Sequence, residues 1–135
     1  MSSFRMEGFD DLIKKLDTMG QVGNKIGNNA LKAASQVIVE QQKKDAPRNT
    51  GKGAESLKPG KIKTSAAKNK YIQVGIVNGS NWENVQGVYF QHYGYKNHRT
   101  GKYHAGSLWM DHSFEKAKGV AAKLMLTIIN KELKL

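Results

Sequence analysis

Two long segments with helical periodicity restrict the fold more than any other feature of the sequence. Apolar residues recur at intervals of three and four from Val22 to Lys44 and again from Ser107 to Glu132, which predicts one apolar face on each of two helices. The first segment is rich in alanine and must end before Pro47, because the residue before a proline is biased away from helical geometry. Ser107 is a candidate N-cap for the second segment.

A shorter helix is predicted ahead of these two, over Phe9–Met19. Its apolar residues follow the same spacing, and Asp10 and Asp11 lie in its first turn, where acidic side chains complement the helix dipole. Gly20 and Gly23 mark the break before the next helix. The N-terminal third of the chain is therefore predicted to be a pair of helices.

The middle of the chain carries two candidate strands. Residues 71–77 form a β-branched and aromatic run that ends at the turn dipeptide Asn78-Gly79, and residues 85–93 form a second, aromatic run before Gly94. We predict that these two runs pair antiparallel. The predicted fold is a single α+β domain over residues 1–135, with two N-terminal helices, a small antiparallel β-sheet and a long C-terminal helix packed on the sheet.

Positive charge is concentrated in two stretches. The chain has 22 Lys and Arg against 11 Asp and Glu, and residues 43–70 alone hold nine cations against two carboxylates. Pro47, Pro59 and three glycines predict that residues 48–70 form a long flexible basic loop with at most one short strand. The candidates for contact with a partner or with DNA are Arg48, Lys52, Lys58, Lys61, Lys63, Lys68 and Lys70, together with Lys96, Arg99 and Lys102 in a second stretch. A polyanion is one interpretation of this charge, and simple solvation of the loops is the other.

No pattern in the sequence predicts catalysis, a cofactor or a metal site. The chain has no cysteine, and its four histidines are separated by cations, which disfavour a metal ion. Ser113 and Lys116 match a serine-x-x-lysine pattern without its companion motifs, and no acid–base pair stands out. Met1 to Arg5 lacks a basic start followed by an apolar run, and no apolar stretch is long enough to cross a bilayer, so we expect a soluble, unprocessed protein made in the cytoplasm.

Aromatic residues accompany the second basic stretch. They are Tyr89, Phe90, Tyr93, Tyr95, Tyr103 and Trp109. Such a mixture is found in proteins that stack on nucleic-acid bases. The alternative, which the residue types favour, is that Tyr89 or Phe90 fills the core together with Trp109.

Four segments, taken in order, resemble one known family. Gly8–Leu12 followed by Ile13–Leu16 is similar to its first helix, and the alanine-rich stretch that ends in Asp45-Ala46-Pro47-Arg48-Asn49-Thr50-Gly51 is similar to its helix-to-loop signature. Residues 88–94 are similar to its aromatic strand, and residues 105–110 take the place of the start of its last helix. On these residues the chain resembles the minor tail component family of long-tailed phages.

The resemblance implies a structural, non-enzymatic role in tail completion or head-to-tail joining. It further implies a homo-oligomeric ring, expected to be hexameric, between the tail tube and the neck proteins, in the virion after assembly in the host cytoplasm. Mobile cations could then contact packaged DNA without reading its sequence. We expect assembly through the two basic loops, and deletion of residues 52–66 is expected to leave a folded monomer. The main alternative is a free-standing basic nucleic-acid-binding module, and a small histidine nuclease ranks last.

Overall fold

The computed structural model describes residues 9–47, 51–66 and 70–133. The elements in chain order are α1 Phe9–Thr18, α2 Gln21–Asp45, α3 Lys52–Glu55, β1 Lys58–Thr64, β2 Lys70–Gly75, α4 Trp82–Tyr93, β3 Gly94–Lys96, β4 Tyr103–Ala105 and α5 Trp109–Leu133. The α+β class and the two N-terminal helices are confirmed, as is the long C-terminal helix. None of the described helices is both long and apolar enough to cross a membrane.

Helix α2 is the centre of the fold. Helices α1 and α5 and both strands of the β1–β2 sheet pack against it. Its buried face includes Ala30 and Ala34, and α5 contributes Ala117 and Ala121. Small alanine side chains let the two helix backbones approach closely. Larger buried residues such as Met125 fill the remaining space in the core.

The β1–β2 sheet is antiparallel, with Ile62 opposite Ile72 and Lys63 opposite Tyr71. Strand β1 lies within the segment that was predicted to be largely loop, and the short helix α3 precedes it. The reason is apolar anchoring, because Ala54 and Leu57 are each only 1% exposed in the core. The strand run predicted at residues 71–77 is confirmed for residues 71–75, which belong to β2.

The prediction that residues 85–93 form a strand paired with β2 is wrong, because this segment is helix α4. Asn81 caps the helix with its side chain, which accepts a hydrogen bond from the Glu83 amide at 3.1 Å. Val85, Val88 and His92 are buried at spacings of three and four, so the same residues that suggested a strand line one face of a helix. Strand β2 pairs with β1 instead.

The sequence had led us to expect the C-terminal helix on the sheet, but α5 packs mainly on α2. Helix α5 meets the end of β2 near its first turn, where Met110 lies against Gly75. Ser107 is not its N-cap, because the Ser107 hydroxyl donates to the Gln91 carbonyl at 3.0 Å. Leu108, with a φ of 54°, leads directly into the helix.

Candidate interaction surface

Four aromatic rings on the exposed side of α4 and one ring of β3 form a continuous cluster, which we call the aromatic ridge: Trp82, Tyr89, Phe90, Tyr93 and Tyr95. Trp82 packs edge-to-face on Tyr89 and on Phe90, with centroid distances of 5.3 and 5.8 Å. Phe90 reaches Tyr95 at 6.0 Å. Trp82, Phe90 and Tyr95 remain 48%, 38% and 40% exposed, so these rings hold each other in place and still present apolar surface to solvent.

The interpretation that aromatic residues fill the core is right for Trp109 and wrong for Tyr89 and Phe90. Trp109 is buried and donates its indole N–H to the Val88 carbonyl at 2.9 Å, as the core interpretation required. Tyr89 is half-buried and Phe90 is exposed, so neither fills the core. Sequence reasoning missed this surface because it treated the segment as a strand, whose alternate side chains would have pointed to opposite faces.

A basic hairpin follows the ridge, and we define it as residues 94–105. Strands β3 and β4 pair antiparallel, and Tyr95 stacks on His104 at 4.8 Å. At the tip, the Asn97 amide donates to the Lys102 carbonyl at 2.8 Å and the Gly101 amide donates to the Asn97 carbonyl at 2.7 Å. The cations of the second basic stretch therefore lie on a hydrogen-bonded turn.

The base of the basic hairpin is fixed to the C-terminal end of α4. Gly94 has a φ of 88°, and a side chain there would meet the His104 carbonyl and the Gly106 amide. The Ser107 and Leu108 amides donate to the Gln91 and His92 carbonyls, at 2.8 and 3.1 Å. These contacts set the direction in which the hairpin leaves the body.

His92 joins α4 to the start of α5. Its side chain is fully buried, and its Nδ1 accepts a hydrogen bond from the Met110 amide at 3.1 Å. Burial lowers the pKa of His92 below its ordinary value, and the nearby Asp111 carboxylate opposes that effect only in part. A buried imidazole that accepts a backbone hydrogen bond is a structural group here.

The histidines do not converge. His104 is stacked on Tyr95, whereas His98 and His112 are exposed. Within residues 9–47, 51–66 and 70–133, no group of three or more His, Asp or Glu has the arrangement of a metal site.

The serine-x-x-lysine pattern holds α5 to the end of α2. The Ser113 hydroxyl donates to Asp45 Oδ2 at 2.8 Å, and Lys116 Nζ lies 3.4 Å from Asp45 Oδ1. Burial alone would raise the pKa of Asp45, but hydrogen bonds from Gln41, Ser113 and Lys116 outweigh it, so the pKa lies below its usual value. Because Ser113 is buried and its hydroxyl is engaged, its contacts are those of a structural tie.

The cations of the first basic stretch are dispersed over the body. Lys52 and Lys61 are exposed on α3 and β1, Lys63 is half-buried opposite Tyr71, and Lys58 Nζ reaches the Gly79 carbonyl at 3.4 Å. Arg48 and Lys68 lie outside the described residues. The structure therefore does not bring this group together at one point.

Lys70 is removed from the candidates for partner contact, because its side chain is turned inward. It is 11% exposed, and its Nζ lies 2.8 Å from Asp17 Oδ1. Nζ also donates to Asn28 Oδ1 at 3.0 Å and to the Asn24 side chain. This cation ties the start of β2 to α1 and α2.

A second unpartnered apolar surface lies between α2 and α5. This helix groove has a volume of about 570 Å³, and its apolar lining residues are Ala33, Val37, Ala117, Val120 and Leu124. Val120 is 60% exposed. The other lining side chains are polar or charged: Gln36, Glu40, Gln41, Lys44 and Lys116.

Comparison with known proteins places the chain in a family. No significant match was found among curated proteins or among solved structures. The family model described as "Bacteriophage HK97-gp10, putative tail-component" matches residues 10–94, a range that runs from α1 through α4 and includes most of the aromatic ridge. Because this match covers more than half of the chain, the protein belongs to the HK97-gp10-like family of phage tail components.

Proposed function

We propose that this tail component completes the tail as a closed homo-oligomeric ring that connects the tail tube to the neck, without enzymatic activity. The observation that carries the proposal is the presence of two different unpartnered apolar surfaces on one subunit, the aromatic ridge and the helix groove. The ridge stands out from α4, whereas the groove is a recess between α2 and α5. The two are candidates to fit one another on successive copies.

The composition of the ridge supports a protein partner. Tyrosine, tryptophan and phenylalanine are enriched at protein–protein interfaces, and charged residues are depleted at their centres. The ridge contains three tyrosines, one tryptophan and one phenylalanine. Side chains of this kind, already packed on one another, lose little conformational freedom when a partner covers them.

Two unlike surfaces on one subunit favour a ring over a twofold dimer. When one patch binds a different patch on the next copy, each added subunit leaves the same two patches free until the rotation closes. Sixfold closure is what the resemblance to long-tailed phage proteins implies. Tail tube subunits on one side and neck proteins on the other are the proposed neighbours of the ring.

The ridge replaces the two basic stretches as the proposed self-association surface. Juxtaposing cationic stretches of neighbouring copies would cost free energy through like-charge repulsion. The ridge itself carries no formal charge, and burying it removes apolar surface from water at about 25 cal/mol per Å². Assembly through the ridge therefore leaves the cations free for other contacts.

The test uses one disabling substitution on each surface. Phe90→Glu places a charge on the ridge, and Val120→Glu places one in the groove. Each variant alone should fail to form rings, whereas an equal mixture should form dimers and stop there, because each dimer uses its single intact pair of surfaces. Native mass spectrometry and light scattering, with and without purified tail tubes, measure the species.

The matched control is Leu126→Glu, because Leu126 is 45% exposed on α5 and does not line the groove. This variant should assemble as the wild type does. Normal rings from Val120→Glu, or full rings from the mixture, would contradict the proposal. A free-standing nucleic-acid-binding module, the second candidate function, would instead bind DNA as a monomer and show no defect from either substitution.

A further inference from the structure

We propose that the basic hairpin, residues 94–105, contacts the phosphate backbone of duplex DNA. The inference deepens the proposed function, since a ring at the end of a tail surrounds the path of the genome. The hairpin lies almost entirely beyond residues 10–94, the part that matches the family model. Its contact with DNA rests on its own charge and geometry.

The first argument is electrostatic. Residues 84–110 contain no Asp or Glu, and their only formal charges at neutral pH are Lys96, Arg99 and Lys102. Among the described residues, none of these three side chains forms an ion pair within 4.0 Å, whereas Lys70, Lys116 and Lys118 do. The field at the hairpin is therefore not neutralised locally, and a polyanion gains from it by releasing counterions.

The second argument is preorganisation. The tip is closed by the Asn97–Lys102 and Gly101–Asn97 backbone hydrogen bonds, and the Arg99 amide donates to the Asn97 side chain at 3.0 Å. Just after the hairpin, the Ser107 and Leu108 amides donate to the Gln91 and His92 carbonyls and fix its base to α4. Because the backbone that carries the cations is already ordered, binding costs less conformational entropy than it would for a loose loop.

The third argument favours a duplex over a single strand. Single-strand binders expose open ring faces on which bases stack. Here Tyr95 has His104 against its face, Tyr89 and Phe90 pack edge-to-face on each other, and the Tyr103 hydroxyl is folded back near Gly94. The hairpin therefore offers cations, including a guanidinium that matches phosphate geometry, and its most exposed ring is that of Tyr103, which is 64% exposed.

The experiment compares two triple variants with the same loss of charge. One is Lys96→Gln, Arg99→Gln and Lys102→Gln in the hairpin. The other is Lys25→Gln, Lys32→Gln and Lys123→Gln, which removes exposed lysines of α2 and α5. Each changes the formal net charge from +11 to +8. Binding of a short labelled duplex of mixed sequence is followed by fluorescence anisotropy over a range of salt concentrations.

The hairpin variant should bind at least tenfold more weakly at low salt. The slope of log Kobs against log salt should fall by up to about 2.7, since each phosphate contact contributes about 0.9. The control variant should keep most of the wild-type slope. Equal losses in both variants would overturn the proposal, since net charge alone would then account for binding. Tighter binding to single-stranded DNA than to duplex, or equally tight binding to polyglutamate, would also overturn it.

Failure of this inference is distinguishable from failure of the proposed function. The hairpin variant should still form rings, and Val120→Glu, at a residue that lines the helix groove, should retain the intrinsic DNA affinity of the monomer. Rings that assemble from a chain with no measurable duplex binding would overturn the DNA contact and leave ring assembly standing. Duplex binding that depends on the hairpin, in a chain that never assembles, would do the reverse.

Discussion

Residues 52–70 and residues 94–105 look alike in sequence and differ in the structure. Both are rich in lysine and glycine and both lie between predicted elements. The first region contributes α3 and β1 to the body and places Ala54 and Leu57 in the core. The second region projects as a hairpin, and none of residues 94–105 is buried.

The difference comes from a few aliphatic anchors. Leu57 and Ile62 give the first region enough apolar surface to be held against the body, whereas the hairpin has no aliphatic residue larger than Ala105. A cation in the first region is therefore placed by the core beneath it. In the second region a cation is held by the backbone hydrogen bonds of the hairpin and by the stacking of Tyr95 on His104. Its charge therefore remains available to a partner.

Deletion of each region in turn should give the largest difference in stability between the two. Deletion of 52–66, which the sequence suggested would leave a folded monomer, removes β1 and its core anchors and should abolish the cooperative unfolding transition. Replacing 97–102 with a two-residue Asn-Gly turn should change the melting temperature by only a few degrees. Thermal denaturation followed by circular dichroism measures both. A cooperative transition in the first deletion variant would mean that β1 is dispensable.

Single substitutions in the two regions should also differ in their effect on the free energy of unfolding. Leu57→Ala should lower the free energy of unfolding by about 2–5 kcal/mol, because it leaves a cavity in the core. Tyr103→Ala in the hairpin, where the side chain is 64% exposed, should cost far less. Urea denaturation gives both values. Similar losses for the two variants would show that the hairpin is as much part of the body as β1 is.

Lys70, whose side chain is turned inward, should contribute more to the free energy of unfolding than an exposed lysine does. Lys70→Met should cost about 1–3 kcal/mol, because it leaves Asp17 and two asparagines without their shared donor. Lys61→Met, on exposed β1 surface, is the matched control and should lie within about 0.5 kcal/mol of the wild type. If the two variants are equally stable, the contacts of Lys70 are only those of a surface pair.

Periodicity predicted the three main helices because their apolar faces are long. Val22–Lys44 and Ser107–Glu132 each span several turns, and the structure ends them within a few residues of the expected positions. Residues 85–93 are too short for that signal. Their β-branched and aromatic residues favour a strand, and this preference outweighed two local helix signals, the Asn81 cap and the spacing of Val85, Val88 and His92.

The candidate surface was predicted only in part. The cations Lys96, Arg99 and Lys102 were identified from charge alone, and they are the ones that lie together. Lys70 was grouped with partner-facing residues because nothing local shows that Asp17, so distant in sequence, is its neighbour. The ridge was missed because residues 85–93 were assigned to a strand, whereas the groove arises from the packing of α2 on α5, which no local pattern displays.

The last and smallest expected effect is a pH dependence at the junction between the hairpin and the body. Burial lowers the pKa of His92 below its ordinary value of 6.5 in the folded chain. As the pH falls through about 6.5, the unfolded chain binds a proton that the folded chain does not, so the free energy of unfolding decreases. The decrease stops once the pH reaches the folded pKa, where both states are protonated.

His92→Asn tests this by keeping an acceptor near the position of Nδ1 while removing the titration. The variant should lose the part of the slope below about pH 7 that belongs to His92, measured by urea denaturation at each pH. Asp45, whose lowered pKa lies below 3.8, contributes only at more acidic pH and does not interfere. Equal slopes in the two proteins would mean that the His92 imidazole has the same pKa in the folded chain as in the unfolded chain. In that case the junction would open independently of the body, and the rigid base on which the hairpin's fixed direction depends would be lost.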